Sequence, residues 1–134
     1  MSGENVEVVR TAIEARIAGD ASKALDTLDP EIEWHGMVGG FDEGRVARGH
    51  EEVNQGFADY FRTWDRLELR ADRYIDAGRD DVVVFLHEVA KGRASGIVVE
   101  MDLGVVMTVR DGKIIRVRSF ADRDEALEAA GLSE

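Results

Sequence analysis

The chain has 134 residues, 28 acidic and 17 basic, for a formal net charge of −11, and it contains no cysteine. That length supports one domain, residues 1–134, with a core that needs no staples, and the acidity repels a phosphate backbone, so nucleic-acid binding is not expected. There is no thiol nucleophile or thiolate metal site, no apolar run long enough for a bilayer span, and no basic and apolar start of signal-peptide type in MSGENVEVVR, so a cytoplasmic protein away from membranes is expected.

Val6, Val9, Ile13 and Ile17 recur at helical spacing up to Gly19, which predicts a first helix over 5–18. Asp20 is placed to cap a short second helix running through Leu28 and ended by Asp29-Pro30. Glu31 to His35 alternates through Ile32 and Trp34 and reads as a short strand. Residues 36–48 hold four glycines without a period, so they read as a loop or ragged hairpin suited to covering a cavity. Val53, Phe57, Phe61 and Trp64, with Tyr60 beside them, give a third helix over roughly 50–64 a large aromatic face.

Arg66 to Asp76 reads as a strand, residues 77–80 as a turn, and Val82 to Val89 as a strand buried on both sides. A long hairpin follows the glycine-bearing connection at 92–96. Its turn, Asp111-Gly112, suits a type I′ geometry with two positive φ angles. Counting outward from a regular turn sets Val109 against Ile114, Met107 against Arg116 and Val105 against Arg118. One face then carries Ile97, Val99, Met101, Leu103, Val105, Met107 and Val109 with Arg116 and Arg118, and suits a dimer partner. The other is graded from Val106 and Val117 through Ser119 to Asp102 and Glu100, and suits the floor of a pocket. Asp122 with Glu125 three residues on resembles a capping box, which opens a terminal helix closed by Gly131. Helices segregated from an antiparallel meander define an α+β domain.

Six segments in this order make the chain resemble the SnoaL-like polyketide cyclases of the nuclear-transport-factor-2-like superfamily, which also holds ketosteroid isomerases and limonene epoxide hydrolases. They are Ala18-Gly19-Asp20 after the first helix, Leu28 to His35, Arg48 to Glu51, Gly92 to Gly96, Val109 to Ile114, and Asp122 to Leu132. The resemblance implies a cone-shaped barrel of a strongly curved mixed or antiparallel sheet with helices on its concave side, frequently a homodimer, with a pocket for a hydrophobic small molecule and neither metal nor cofactor. It does not imply one reaction. The matched positions of several family catalytic groups hold other residues: Ala12, Trp34 and Val106 where ketosteroid isomerases have a tyrosine and two aspartates, Ser119 where limonene epoxide hydrolases have an aspartate, and Val105 where many SnoaL-like proteins have a histidine.

The remaining candidates come from residue chemistry. Asp102, with Glu100 two residues before it, is the first choice for a general base, because metal-free proton transfer needs a carboxylate with a raised pKa; a solvated sheet end bridged to an arginine is the simpler alternative. His35 suits a proton relay or a loop hydrogen bond. Trp34, Tyr60 and Trp64 suit an aromatic wall, with Glu100, Val106, Val117 and Ser119 completing a substrate surface, or else ordinary core packing. His50 suits a capping role and His87 a core or interface role, and the three histidines lack metal-ligand spacing. Two functional readings stand open: a cofactor-free isomerase, cyclase or hydratase using Asp102 or His35, and a non-catalytic ligand-binding or dimerisation module.

Overall fold

The computed structural model describes residues 2–40 and 42–132, and its elements follow in the order α1 (Ser2–Ala18), α2 (Ala21–Asp26), β1 (Leu28–Val38), β2 (Val46–Arg48), α3 (Gly49–Thr63), β3 (Trp64–Gly78), β4 (Asp81–Gly92), β5 (Val98–Arg110), β6 (Lys113–Phe120) and α4 (Arg123–Ala129). The strands form one mixed sheet in the order β2-β1-β6-β5-β4-β3; β1 and β6 run parallel and every other neighbouring pair is antiparallel. The α+β class is as expected, and the sheet stays open, with β2 and β3 as its edges. The glycine-rich segment also carries the end of β1 and all of β2, which pairs with Glu33, Trp34 and His35.

Local chemistry explains the punctuation. Asp20 accepts a hydrogen bond from the Lys23 N–H, and Asp122 accepts from the N–H groups of Asp124 and Glu125, so both short helices start on satisfied donors. Asp111 and Gly112 have φ of 52° and 76°, and Arg79 and Asp80 have 53° and 68°, the double left-handed pair that a two-residue hairpin turn requires.

The sheet's two faces are covered differently. Helices α1 and α3 lie on the face we call inner, where Val9, Ile13, Ile32, Val53, Val82, Val84, Val105, Met107, Ile114 and Val117 form the main core. Helix α4 lies on the outer face, where Ala126 and Leu127 pack on Val83, Val106, Phe85 and Phe120. Each fully buried aliphatic side chain contributes about 1.5–3 kcal/mol. Gly104 is what lets α4 approach, since a Cβ there would stand 2.5 Å from the Ala126 Cβ.

Two sequence expectations need correction. The register counted from the turn holds for Arg110 opposite Lys113 and Val109 opposite Ile114; Ile115 is then bulged out, so Thr108 opposes Arg116, Met107 opposes Val117, Val106 opposes Arg118 and Val105 opposes Ser119. The bulge sends Arg116 and Arg118 to the outer face and brings Val117 and Ser119 inward. From Leu103 to Val109 the apolar face of β5 is therefore not a bare dimer surface carrying two arginines: it is the inner face, roofed by helices, while Ile97 and Val99 at its start stay exposed. The α1 stripe is also rotated. Val9, Ala12, Ile13 and Ala15 are buried, while Ile17 is 48% exposed and Arg16 turns toward the interior.

Candidate functional site on the inner face of the sheet

Along β4 the residues Val82, Val84 and Leu86 point into the main core, and the two-residue period of a strand puts Glu88 on the same side. Its neighbours across the sheet are Leu69 of β3 and Met101 of β5, both packed on that core. The Tyr60 hydroxyl of α3 donates to Glu88 Oε2 at 2.8 Å. Around this pair run edge-to-face and stacked rings: Trp34 with Phe57 at 4.9 Å between centroids, Phe57 with Phe61 at 5.9 Å, and Tyr60 with Trp64 at 5.9 Å. Trp64 Nε1 is buried.

Burial raises the Glu88 pKa above the ordinary carboxylate range, and the Tyr60 hydrogen bond opposes that shift. Tyr60 is itself pushed well above its usual value, first by burial and then by the facing Glu88 charge, so it stays a phenol and a donor. A carboxyl held closer to neutrality, with a fixed donor beside it and aromatic walls, has the composition of an acid–base site for an apolar molecule.

A cavity of about 20 Å³, room for one water-sized group, lies deeper on the same side between Ala12, Ile13, Arg16, Ala24, Leu28, Trp34, Met107 and Ile114. Arg16 borders it with its guanidinium carbon 3.7 Å from the Phe57 ring centroid.

The other sequence candidates divide between the faces. Trp34, Tyr60 and Trp64 come together on the inner side, Val117 is sealed in the main core, and Ser119 shares the inner side opposite Val105. Val106 lies beneath α4. Glu100 and Asp102 are on the outer face, where His87 Nδ1 lies 2.6 Å from Asp102 and His87 Nε2 lies 3.0 Å from Glu100. Arg123 stands 3.5 Å from Asp102 and 2.8 Å from Asp72, and donates to the Leu86 carbonyl at 3.0 Å. Asp102 is 61% exposed, and its pKa is lowered, chiefly by His87, rather than raised as a general base at neutral pH requires. With a carboxylate at each ring nitrogen, the His87 pKa rises, through Asp102 first and Glu100 second.

His35 also faces outward, 3.3 Å from Glu33, at an open groove of about 270 Å³ shared with Glu43, Arg45 and Arg118. His50 Nε2 donates to the Leu28 carbonyl, 2.8 Å away, tying the start of α3 to the irregular start of β1. Sequence reasoning missed Glu88 and Arg16. The signal for Glu88 was its parity with Val82, Val84 and Leu86, hidden by reading the whole strand as buried on both sides; for Arg16 it was the spacing from Val9, Ala12 and Ile13.

The fold agrees with what the chain resembles. A family model for the SnoaL-like domain matches residues 9–117, and the chain belongs to that family. Among solved structures, an NTF2-like protein from Burkholderia thailandensis E264 has a TM-score of 0.81 at 25% identity, covering 95% of this chain and 96% of its own. TerC co-crystallised with polyporic acid has a TM-score of 0.76 at 24% identity over 96% and 98%. A SnoaL-like polyketide cyclase from Jannaschia sp. CCS1 has 0.76 at 22% identity over 88% and 85%. A comparison with curated proteins returns no match. No helix among the described residues is long and apolar enough to cross a membrane.

Proposed function

We propose that the protein holds a hydrophobic small molecule on the inner face of its sheet and moves a proton on it without a cofactor, as an isomerase, cyclase or hydratase does. The observation that carries this reading is the half-buried Glu88 carboxyl, its pKa raised by burial, hydrogen-bonded to Tyr60 among Trp64, Phe57 and Trp34. In an isomerisation Glu88 takes a proton from carbon next to a carbonyl and returns it to another atom of the same molecule, so no oxidant or leaving group is needed. Tyr60 holds the carboxylate in place through its hydroxyl, and the rings stack on the substrate and exclude water. Asp102 and Glu100 belong, in this reading, to the ion network of the outer face. The crystallisation of a similar fold with an organic acid supports a small-molecule occupant.

The test is proton exchange at the carbon next to the carbonyl of 2-tetralone in deuterated buffer, followed by proton NMR. The wild type is expected to accelerate exchange by about 10²-fold or more, and Glu88→Gln to abolish that acceleration while the ketone still raises the melting temperature. Exchange unaffected by Glu88→Gln sinks the assignment. A second reading, a non-catalytic ligand-binding or dimerisation module, draws on the inner cavity of only about 20 Å³ and is selected if the ketone stabilises the protein without exchange.

A further inference from the structure

We propose that the molecule held on the inner face carries an anionic group, a carboxylate, and that Arg16 receives it. The inference rests on the reading of that face as a ligand site and adds the substrate's charge and orientation. Arg16 sits in the last turn of α1, three and four residues beyond the buried Ile13 and Ala12, on the stripe that packs against the sheet. The neighbouring Ile17 stays 48% exposed, so the helix places a cation beside the core and leaves an available aliphatic residue outside.

That cation has no acid. Arg16 makes no ion pair among the described residues, and its Nη2 is buried without a hydrogen-bond partner, in a chain with 28 acidic side chains. The other arginines with a buried, unbonded nitrogen are compensated: Arg123 has Asp72 at 2.8 Å and Arg118 has Asp81 at 3.7 Å. The carbonyl end of α1 offsets part of the Arg16 charge but leaves Nη2 without an acceptor. Half-burying a cation with no acid beside it is unfavourable, and burial accordingly lowers the Arg16 pKa.

The guanidinium is also presented, rather than merely hidden. Its carbon stands over the Phe57 ring, 3.7 Å from the centroid, and its Nη2 is left available to an anion. It borders the cavity whose remaining wall is Trp34, Met107, Ile114 and other apolar side chains, an environment in which a charge-assisted hydrogen bond gains strength. A carboxylate needs more room than one water, so its entry displaces the Trp34 or Arg16 side chain. Phe57 and Tyr60 are one turn apart on α3, and they mark the two ends of the site: anion at Arg16, reacting carbon at Glu88. The ligand class is therefore a rigid, mostly apolar ring system with an acid group at the end remote from the chemistry.

The test compares 2-naphthoate with the neutral 2-naphthamide by calorimetry at pH 7, in the wild type, Arg16→Lys and Arg16→Met. The wild type is expected to bind the acid at least about tenfold tighter than the amide, as a charge-assisted hydrogen bond in a dry site does. Arg16→Lys should keep part of that preference and Arg16→Met lose it. Arg16→Met should also melt no lower than the wild type, because the unpaired charge is gone. Equal affinities in the wild type, or an acid preference that survives Arg16→Met, overturn the role of Arg16 and leave the inner-face site standing. Failure of both naphthalenes to bind the wild type removes both.

Discussion

Glu88 and Asp102 lie on adjacent strands of one sheet, yet the sheet's two faces drive their carboxyl groups in opposite directions. On the inner face, helix-covered and ringed by Tyr60, Trp64 and Phe57, burial raises the Glu88 pKa and a single phenol bonds it. On the outer face, water reaches Asp102, and His87 and Arg123 hold its pKa down, as Arg70 and Arg123 hold Asp72 down to about 2. The same functional group is thus prepared for proton exchange on one side and for permanent charge on the other. What separates the outcomes is the neighbour's charge and the access of water.

The contrast is breakable at three places. Gly104→Val drives a branched side chain into Ala126 and should prise α4 from the outer face, at a cost of about 3 kcal/mol in urea unfolding. Pairing Gly104→Ala with Ala126→Gly should recover most of what Gly104→Ala alone loses, since the two substitutions act on one contact. If Gly104→Val unfolds at the wild-type midpoint, α4 does not rest on that glycine.

On the inner face, Tyr60→Phe should cost about 1 kcal/mol at pH 7, the value of a half-buried hydrogen bond to a charged group. It should also move the Glu88 titration upward, because the hydroxyl now favours the ionised form. Carbon-13 NMR of the Glu88 carboxyl reads that shift directly, and an unmoved titration means the hydrogen bond does not hold in solution.

The smallest effect is expected outside. The His87 pKa is raised above its unfolded 6.5, so its contribution is fully present below 6.5 and lost as the pH climbs through the folded value. The Asp102 pKa is lowered beneath 3.8, so its contribution is present above 3.8 and lost as the pH drops through the folded value. Asp102→Asn should therefore lower the melting temperature most between about pH 4 and 6.5, and progressively less as the pH falls below that window or rises above it. A deficit that is constant with pH would mean that packing, rather than the ion network, is what the substitution disturbs.

The fold was legible because its signals are local. Asp111-Gly112 fixes a turn, Asp20 and Asp122 start helices, and Val82 to Leu86 announces a central strand without any knowledge of what lies opposite. The aromatic face of α3 was legible in part: Val53 and Phe57 of the counted stripe meet the core, but Phe61 is 45% exposed, Trp64 opens β3, and Tyr60, set beside the stripe, is the ring that reaches Glu88. The acid–base groups were not, because a carboxylate's role depends on which face its strand parity selects and on partners distant in sequence: Tyr60 is 28 residues from Glu88. Asp102 attracted notice as the polar end of a strand, and His87, fifteen residues away, is what keeps it charged. Arg16 was hidden by the helix's rotation of less than a turn, since Ile17 next to it fits an apolar stripe equally well on paper.

The bulge at Ile115 makes register, rather than residue type, the sensitive variable in the last hairpin. Pairing Ile115 with Thr108 would restore the uniform count from the turn and turn the rest of β6 inside out, driving Arg116 and Arg118 under the helices and evicting Val117 from beside Met107 and Trp34. Excising Ile115 would instead leave Arg116 opposite Thr108 and Val117 opposite Met107, so the segment tolerates losing the extra residue but not pairing it.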